Sequence, residues 1–172
     1  MDYQNRSNGY QGGGSRQGGG YKQQTPPPSK TPLPPFEYYE ADNKTVNPKL
    51  FDETAKSIAE SLKGVSGTQL RKIFDEAKRF VQLLETSSDD EDLKFKEHEA
   101  YIRMIKSKVS YQAVRAKEKA RFEDKGGYEN LSEFVAKGID KVKKANDFKV
   151  FVALFEAVYG FYYEIAPSKA KN

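Results

Sequence analysis

Residues 147–166 read DFKVFVALFEAVYGFYYEIA, and this stretch decides how the chain folds. Its apolar residues fall at helical spacing but cover most of the helix circumference instead of one stripe. Four charged residues interrupt it, whereas a membrane span needs an uninterrupted apolar run of about 18 residues or more. We therefore predict a central core helix rather than a membrane segment. The residues expected to face inward are Phe148, Phe151, Val152, Leu154, Phe155, Val158, Tyr159, Phe161, Tyr162 and Ile165.

The composition places a tail before this core. The chain has 172 residues; seven of its 13 glycines lie in residues 9–20, and seven of its eight prolines lie in residues 26–48. We predict a disordered tail with a proline-rich spacer over residues 1–46 and a helical bundle over residues 47–172, a common size for one compact domain. The net charge of +4 permits an anionic partner. Cysteine is absent, which excludes disulfides and thiolate metal sites and fits a cytoplasmic location, and residues 1–20 lack the apolar run of a signal peptide.

The tail itself allows two interpretations. Residues 1–24 offer almost nothing to bury, so we expect them to be disordered. Tyrosines interleaved with Arg6, Arg16 and Lys22 are typical of tails that bind RNA weakly, and equally of flexible solubilising tails. Residues 25–35, TPPPSKTPLPP, favour a stiff spacer over a ligand for a proline-reading domain. Phe36, Tyr38 and Tyr39 are expected to dock on the bundle or to await a partner.

Five helical patterns predict an all-α bundle. The first begins at the cap residue Asn47 and ends at Gly64. The second opens with the capping-box signature of Ser66 and Gln69, and its apolar residues recur at spacings of three and four. The expected inner residues are Leu50, Phe51, Thr54, Ile58 and Leu62 in the first helix, and Leu70, Ile73, Phe74, Ala77, Val81 and Leu84 in the second.

Residues 86–92, TSSDDED, bring four carboxylates together before the third helix. Such a cluster could serve acid–base catalysis or a metal ion. A helix start explains it better, with Ser88 as the cap and the acids favoured by the helix dipole. His98 is the only histidine and has no partner signature, so we interpret it as a surface residue. The residues predicted to point inward from this helix are Leu93, Tyr101, Met104 and Ile105.

The charge changes sign along the third helical pattern, which either continues or bends near Ser107. Residues 85–99 hold seven acids and two lysines, a net charge of −5, and residues 103–125 hold eight Lys/Arg and three acids, a net charge of +5. The basic half, with Tyr111 in it, is a reasonable surface for a phosphate backbone, because cations that neutralise phosphates release counterions. Lysines on helices also commonly do no more than solvate a face.

The last part of the bundle is predicted from breakers and caps. Gly126 and Gly127 are expected to end the preceding helix, Asn130 to cap the next one, and Pro167 to close the core helix. No strand pattern, internal repeat or phosphate-binding glycine loop is found in the sequence. The fourth helix is expected to turn Leu131, Phe134, Val135, Ile139 and Val142 inward and Lys137, Lys141 and Lys144 outward.

Three of these stretches, in order, resemble one family. SGTQLRKIF at residues 66–74 is similar to its Ser/Thr-Gln-apolar-Arg-Lys helix, KSKVSYQAVR at residues 106–115 to its Lys-apolar-x-Tyr-x-x-x-Arg segment, and FEAVYGFY at residues 155–162 to its closing aromatic helix. The chain thus resembles the small all-helical subunit of type III-A (Csm) CRISPR effector complexes over residues 48–166. The family often carries a proline near Ser107, which is missing here.

The resemblance implies a non-catalytic protein of antiviral defence, present in several copies that stack into a filament. Its implied partners are guide RNA and target RNA, the backbone and large subunits of the complex, and further copies of itself, without a membrane, metal or cofactor. Recognition would be electrostatic, because base pairing reads the sequence and protein reads the backbone. The RNA-binding candidates are Arg71, Lys72, Lys78, Arg79, Lys106, Lys108, Tyr111, Arg115, Lys119 and Arg121.

The sequence also allows two other functions to be considered. A free-standing helical adaptor or RNA chaperone would bind through its Gly/Tyr/Arg-rich tail. An enzyme has the least support, because no triad, metal cluster or phosphate loop can be assembled from these residues.

Overall fold

The computed structural model describes residues 31–86 and 90–166, and its regular elements are helices. Within those two ranges the only β-type pairing is an isolated bridge between Tyr39 and Val46. No helix described there is long and apolar enough to cross a membrane. The predicted all-α bundle of about five helices is confirmed. The elements are α1 (Glu53–Ser61), α2 (Gly67–Glu85), α3 (Glu91–Lys119), α4 (Lys125–Lys141) and α5 (Ala145–Ile165), with 3-10 turns at Pro48–Phe51 and Phe122–Asp124.

Helix α5 is the central helix, as predicted, and packs against each of the other four. Aromatic rings fill the space around it; the ring centroids of Phe134 and Phe155, for example, lie 5.4 Å apart in an edge-to-face arrangement. One face of α5 nevertheless stays outside, since Ala153, Glu156 and Gly160 form an exposed stripe. The expectation that nearly every face is buried is therefore wrong along this stripe, where small and charged residues recur at helical spacing.

Helix α2 buries the predicted stripe, with Leu70 and Ala77 fully covered and Val81 half-buried. Ser66 stands at its N-cap position, but its side chain makes no capping hydrogen bond, so the predicted capping box is wrong. Its backbone N–H instead donates to the hydroxyl of Tyr128 at 3.2 Å. The hydroxyl of Tyr128 thus accepts from the backbone N–H that the Gln69 side chain would bind in a capping box.

Helix α3 is one continuous helix of 29 residues that runs through Ser107. The inward orientation predicted for three of its residues is wrong: Leu93 is 54% exposed, Tyr101 57% and Met104 44%, and only Ile105 is buried as expected. The helix carries apolar residues on two sides, and packing against α2 and α4 selects the other side. The residues it buries are Phe95, Ile102, Ile105, Val109 and Ala113.

The boundary between α3 and α4 also differs from prediction. Helix α3 ends at Lys119, and Gly126 and Gly127 belong to the first turn of α4 instead of ending a helix. Gly127 lies so close to the turn that follows α1 that an added Cβ would stand 2.3 Å from the carbonyl oxygen of Lys63. A side chain larger than hydrogen does not fit here, so close packing explains the glycine. The inward residues predicted for α4 are confirmed: Leu131, Phe134, Val135, Ile139 and Val142 are buried.

Asn130 is buried within α4 and is not its cap. Its amide nitrogen donates to the carbonyl oxygens of Thr31 at 2.7 Å and Ser61 at 2.8 Å. The side chain therefore joins α4 to the end of α1 and to the segment that precedes the bundle. Thr31 and Ser61 are both far from Asn130 in the sequence. The residues next to Asn130 therefore indicate only a cap.

The first helix begins in two steps. Asn47 caps as predicted, its side-chain oxygen accepting from the backbone N–H of Lys49 at 3.0 Å, but it caps the 3-10 turn and α1 starts only at Glu53. The tighter turn changes the phase, so Phe51 is 37% exposed and its predicted inward position is wrong. Gly64, beyond the end of α1, has φ of +93°, a conformation that favours glycine.

Residues 31–46 form a strap across the bundle. Phe36 and Tyr38 are buried, as the docking prediction expected, and Leu33 of the predicted spacer is buried with them. The Tyr38 hydroxyl donates to the carbonyl oxygen of Gly138 at 2.6 Å. Burial raises the pKa of Tyr38 well above its usual range. The strap therefore contributes to the core ahead of α1.

Some predictions lie outside the described residues. These are the disorder of residues 1–24, the cap at Ser88 and the stop at Pro167. At the start of α3 the structure assigns the capping side chain to Asp90, whose carboxylate accepts from the backbone N–H of Asp92 at 2.9 Å.

Candidate nucleic-acid interface

Two stripes of predicted RNA-binding residues meet where α2 packs against α3. Lys72, Glu76 and Arg79 share one side of α2, because residues four and three apart lie above one another on a helix. The Nζ atom of Lys108 on α3 lies 2.6 Å from Glu76 Oε1 and joins the two helices. Lys72, Arg79, Lys108, Tyr111 and Arg115 thereby form one exposed surface, called the α2–α3 basic face below.

Tyr111 and Arg115 form a pair on the α2–α3 basic face. The Tyr111 ring is 61% exposed, and the Arg115 guanidinium lies 5.5 Å from its centroid while donating to its hydroxyl at 3.2 Å. An exposed ring with a guanidinium held against it offers both stacking and charge, the two interactions that nucleic acids use most. The sequence lists both residues as RNA-binding candidates, and the structure places them in contact.

Arg71 and Lys78 lie on the other side of α2, toward α5. Lys78 Nζ is 3.2 Å from Glu156 Oε1 of α5 and 5.3 Å from the centroid of the Phe74 ring. Arg71 pairs loosely with Asp75, at 3.7 Å, and its side chain is 66% exposed. These two cations therefore do not share a surface with the α2–α3 basic face.

The remaining three candidates are also separate. Lys106 forms an ion pair with Asp140 of α4, on the side of α3 away from α2. Lys119 is the last residue of α3, and Arg121 follows it, with Nε 3.2 Å from Asp124 Oδ2. The structure thus brings together five of the ten predicted residues and distributes the other five over three places.

The acidic cluster before α3 has structural roles where it is described. Asp92 Oδ1 accepts from the backbone N–H of Ala145 at 2.8 Å, and Glu91 pairs with Lys149 at 2.6 Å. The hydrogen bond to Glu91 raises the pKa of Lys149. Across residues 31–86 and 90–166 no group of three or more metal-ligating side chains is found. His98 is half-buried, its Nδ1 3.0 Å from the carbonyl oxygen of Lys94.

The sequence analysis missed a group of apolar residues that the structure leaves exposed. Leu83 of α2 and Leu93, Tyr101, Met104 and Val114 of α3 are all between 43% and 57% exposed. We call them the exposed apolar set. The sequence does contain an indication of this group, because the apolar residues of α3 recur at helical spacing on two sides of the helix. It does not indicate which of the two sides is buried against the other helices.

Comparison with known proteins provides the family. No curated protein and no solved structure matches the chain. The family Csm2 Type III-A matches residues 45–166, the range that holds all five helices and every residue of the α2–α3 basic face. The chain therefore belongs to the Csm2 Type III-A family, the small subunits of type III-A CRISPR complexes.

Proposed function

We propose that this chain is a non-catalytic small subunit of a type III-A RNA-guided effector complex in antiviral defence, located in the cytoplasm. In this proposal the α2–α3 basic face contacts the guide RNA/target RNA duplex, and copies of the chain form a filament beside the backbone and large subunits. Residues 47–172 act as the helical bundle, with residues 1–46 leading into it. The remaining basic candidates, Arg71, Lys78, Lys106, Lys119 and Arg121, add secondary contacts.

The observation that carries the RNA contact is the joining of two basic stripes through the Glu76–Lys108 bridge. Lys72, Arg79 and Arg115 are exposed there beside an exposed tyrosine. Charges in such an array attract a phosphate backbone without reading bases, which suits a complex whose specificity comes from pairing. Membership of the Csm2 Type III-A family supports the same function.

The exposed apolar set supports contacts with other subunits. Soluble monomers rarely leave large apolar patches uncovered, and such patches commonly mark protein interfaces. Four of its five members lie on α3, where charged residues separate them. A subunit that packs beside copies of itself and the backbone subunits would cover them.

RNA binding by the α2–α3 basic face is tested with a triple variant, Lys72→Ala, Arg79→Ala and Arg115→Ala. A matched control removes three cations elsewhere, through Lys44→Ala, Lys49→Ala and Lys56→Ala, all exposed. We expect the purified chain to bind an RNA duplex with little sequence preference and with log K falling linearly against log salt. The face variant should reduce the salt slope by about one unit per lost phosphate contact, and the control should leave it nearly unchanged.

Equal effects of the two triple variants, or binding that ignores salt, would contradict this proposal. Deleting residues 1–30 separates it from the adaptor function, because a tail-driven binder would lose its RNA affinity and the subunit would keep it. RNA cleavage by the pure chain would contradict the non-catalytic part.

A further inference from the structure

Two tyrosines on α5 form an aromatic surface at the margin of the core, with Tyr159 packed against the core itself. The ring centroids of Tyr159 and Tyr163, one turn apart, are separated by 4.9 Å with the planes at 74°. Tyr159 in turn stacks on Phe74 of α2, at 5.7 Å and 12°. Both tyrosines are half-buried, and burial together with a hydrogen bond to Tyr163 raises the pKa of Tyr159 to about 12. The Tyr163 ring therefore packs edge-to-face on Tyr159, with part of its surface open to solvent.

Gly160 lies beside these rings and has no explanation within the chain. Gly64 has a positive φ, and an added Cβ at Gly127 or Gly138 would stand 2.3 Å from a neighbouring atom. A Cβ at Gly160 would meet nothing within 4 Å. Glycine inside a helix is unfavourable relative to alanine, and it is used where backbone must approach a ligand closely. The open space therefore fits a flat group that lies over Gly160 against Tyr163.

The charges around the two tyrosines are balanced. Arg71 pairs with Asp75 and Lys78 with Glu156, each pair being exposed. A neutral site suits an uncharged aromatic group better than a run of phosphates. Arg71 lies one helical turn before Phe74, the ring on which Tyr159 stacks, so a cation on the neighbouring turn of α2 is available for one phosphate beside the flat group.

We propose that Tyr163, Gly160 and Arg71 form a site for a single unpaired nucleobase of RNA, stacked on the Tyr163 ring. This rests on the RNA-binding function proposed above. Helix α2 lies between the α2–α3 basic face and this site, to which it contributes only Arg71, and a helix is about 10–12 Å wide. One RNA can therefore hold its paired part on the α2–α3 basic face and its unpaired base here. Stacking of this kind tolerates any base, because each has a flat face.

The test compares two RNA duplexes, one fully paired and one with a single bulged adenosine replaced by 2-aminopurine. We expect Tyr163→Ala to weaken binding of the bulged duplex about fivefold or more, and to leave the paired duplex unchanged. The quenching of 2-aminopurine that stacking produces should disappear. Tyr163→Phe, which keeps the ring, should retain both. Phe122→Ala, which removes a 55%-exposed ring from the turn between α3 and α4, serves as the matched control.

A second variant shows whether the loss of binding comes from the base site or from misfolding. Gly160→Gln adds a side chain where there is room, so the thermal midpoint should not fall, yet it should block the base and reproduce the selective loss. Equal losses for both duplexes, or none, would overturn the base site while leaving the proposed function standing. A change in self-association without a change in RNA binding would mark the tyrosines as a protein contact and also overturn it. If wild-type chain bound neither duplex, the proposed function itself would fail.

Discussion

Asp147 shows how one buried carboxylate holds the start of the central helix. It is 5% exposed, accepts from the backbone N–H groups of Lys143 at 2.9 Å and Lys144 at 3.2 Å, and accepts from the Tyr39 hydroxyl at 2.7 Å. The same contact raises the pKa of Tyr39, after the larger effect of burial. A single residue thus caps α5 and fastens the strap.

We predict that Asp147→Ala lowers the free energy of unfolding by about 1–3 kcal/mol, because buried donors lose their acceptor. Thermal or urea unfolding measures the loss. Asp75→Ala removes an exposed carboxylate with only a 3.7 Å ion pair and should stay within about 0.5 kcal/mol. Similar losses in the two variants would show that the contacts of Asp147 do not stabilise the fold.

The buried hydroxyl of Tyr162 should make the free energy of unfolding fall at high pH. Its hydroxyl donates to the carbonyl oxygen of Val65, and burial raises its pKa from 10.0 to about 12. Because the folded state holds this proton more tightly than the unfolded state, the contribution is complete below pH 10 and is lost as pH rises through about 12. The stability difference between the wild-type chain and Tyr162→Phe should therefore shrink across that window in urea unfolding. A constant difference would contradict the assignment.

At the scale of elements, two helix glycines should respond in opposite ways to the same substitution. A Cβ at Gly138 would stand 2.3 Å from the Phe151 ring, so Gly138→Ala should destabilise the chain by about 1–3 kcal/mol. Gly160→Ala meets no atom and should stabilise α5 by about 0.5–1 kcal/mol. Thermal unfolding of the two variants is the measurement. If Gly160→Ala lowered the stability, the added Cβ would have to meet a neighbouring atom, which would contradict the open space at this position.

The phase of α3 gives a second element-scale prediction. Phe95 and Ile102 are each 1% exposed, so Phe95→Ala and Ile102→Ala should cost about 2–5 kcal/mol of stability. Leu93→Ala and Met104→Ala, on the opposite side, should each stay within about 0.5 kcal/mol in the isolated chain. Chemical denaturation decides between the two phases. If Leu93→Ala and Met104→Ala cost more stability than Phe95→Ala and Ile102→Ala, the inward face predicted from the sequence would be the correct one.

At the scale of the whole molecule, the stretch from residue 85 to residue 125 carries a strong charge asymmetry. Net charges of −5 over residues 85–99 and +5 over residues 103–125 put an acidic and a basic end on one chain. If copies associate by placing opposite ends together, raising salt from about 0.1 M to about 1 M should reduce the weight-average mass in sedimentation equilibrium. Leu93→Glu with Met104→Glu should reduce it at both salt concentrations. Association that strengthens with salt would indicate apolar contact without the charge pairing.

The sequence by itself determined much of the fold, because helix spacing, caps and breakers act within a few residues. It predicted five helices, the central position of α5, and the inner stripes of α2 and α4. The resemblance to type III-A small subunits, carried by three short motifs, agrees with the Csm2 Type III-A match over residues 45–166. Each of these predictions depends on residues that are close together in the sequence.

Only the tertiary structure decided which of two apolar phases α3 buries, where Asn130 donates, and how the ten predicted RNA-binding residues divide among separate surfaces. Arg71 and Lys72 are neighbours in sequence yet lie on different sides of α2, since adjacent helix residues point about 100° apart. The strap over α4, held by Tyr38 on Gly138, joins residues 100 positions apart. Such contacts depend on which surfaces meet when the helices pack, and no short stretch of sequence contains that information.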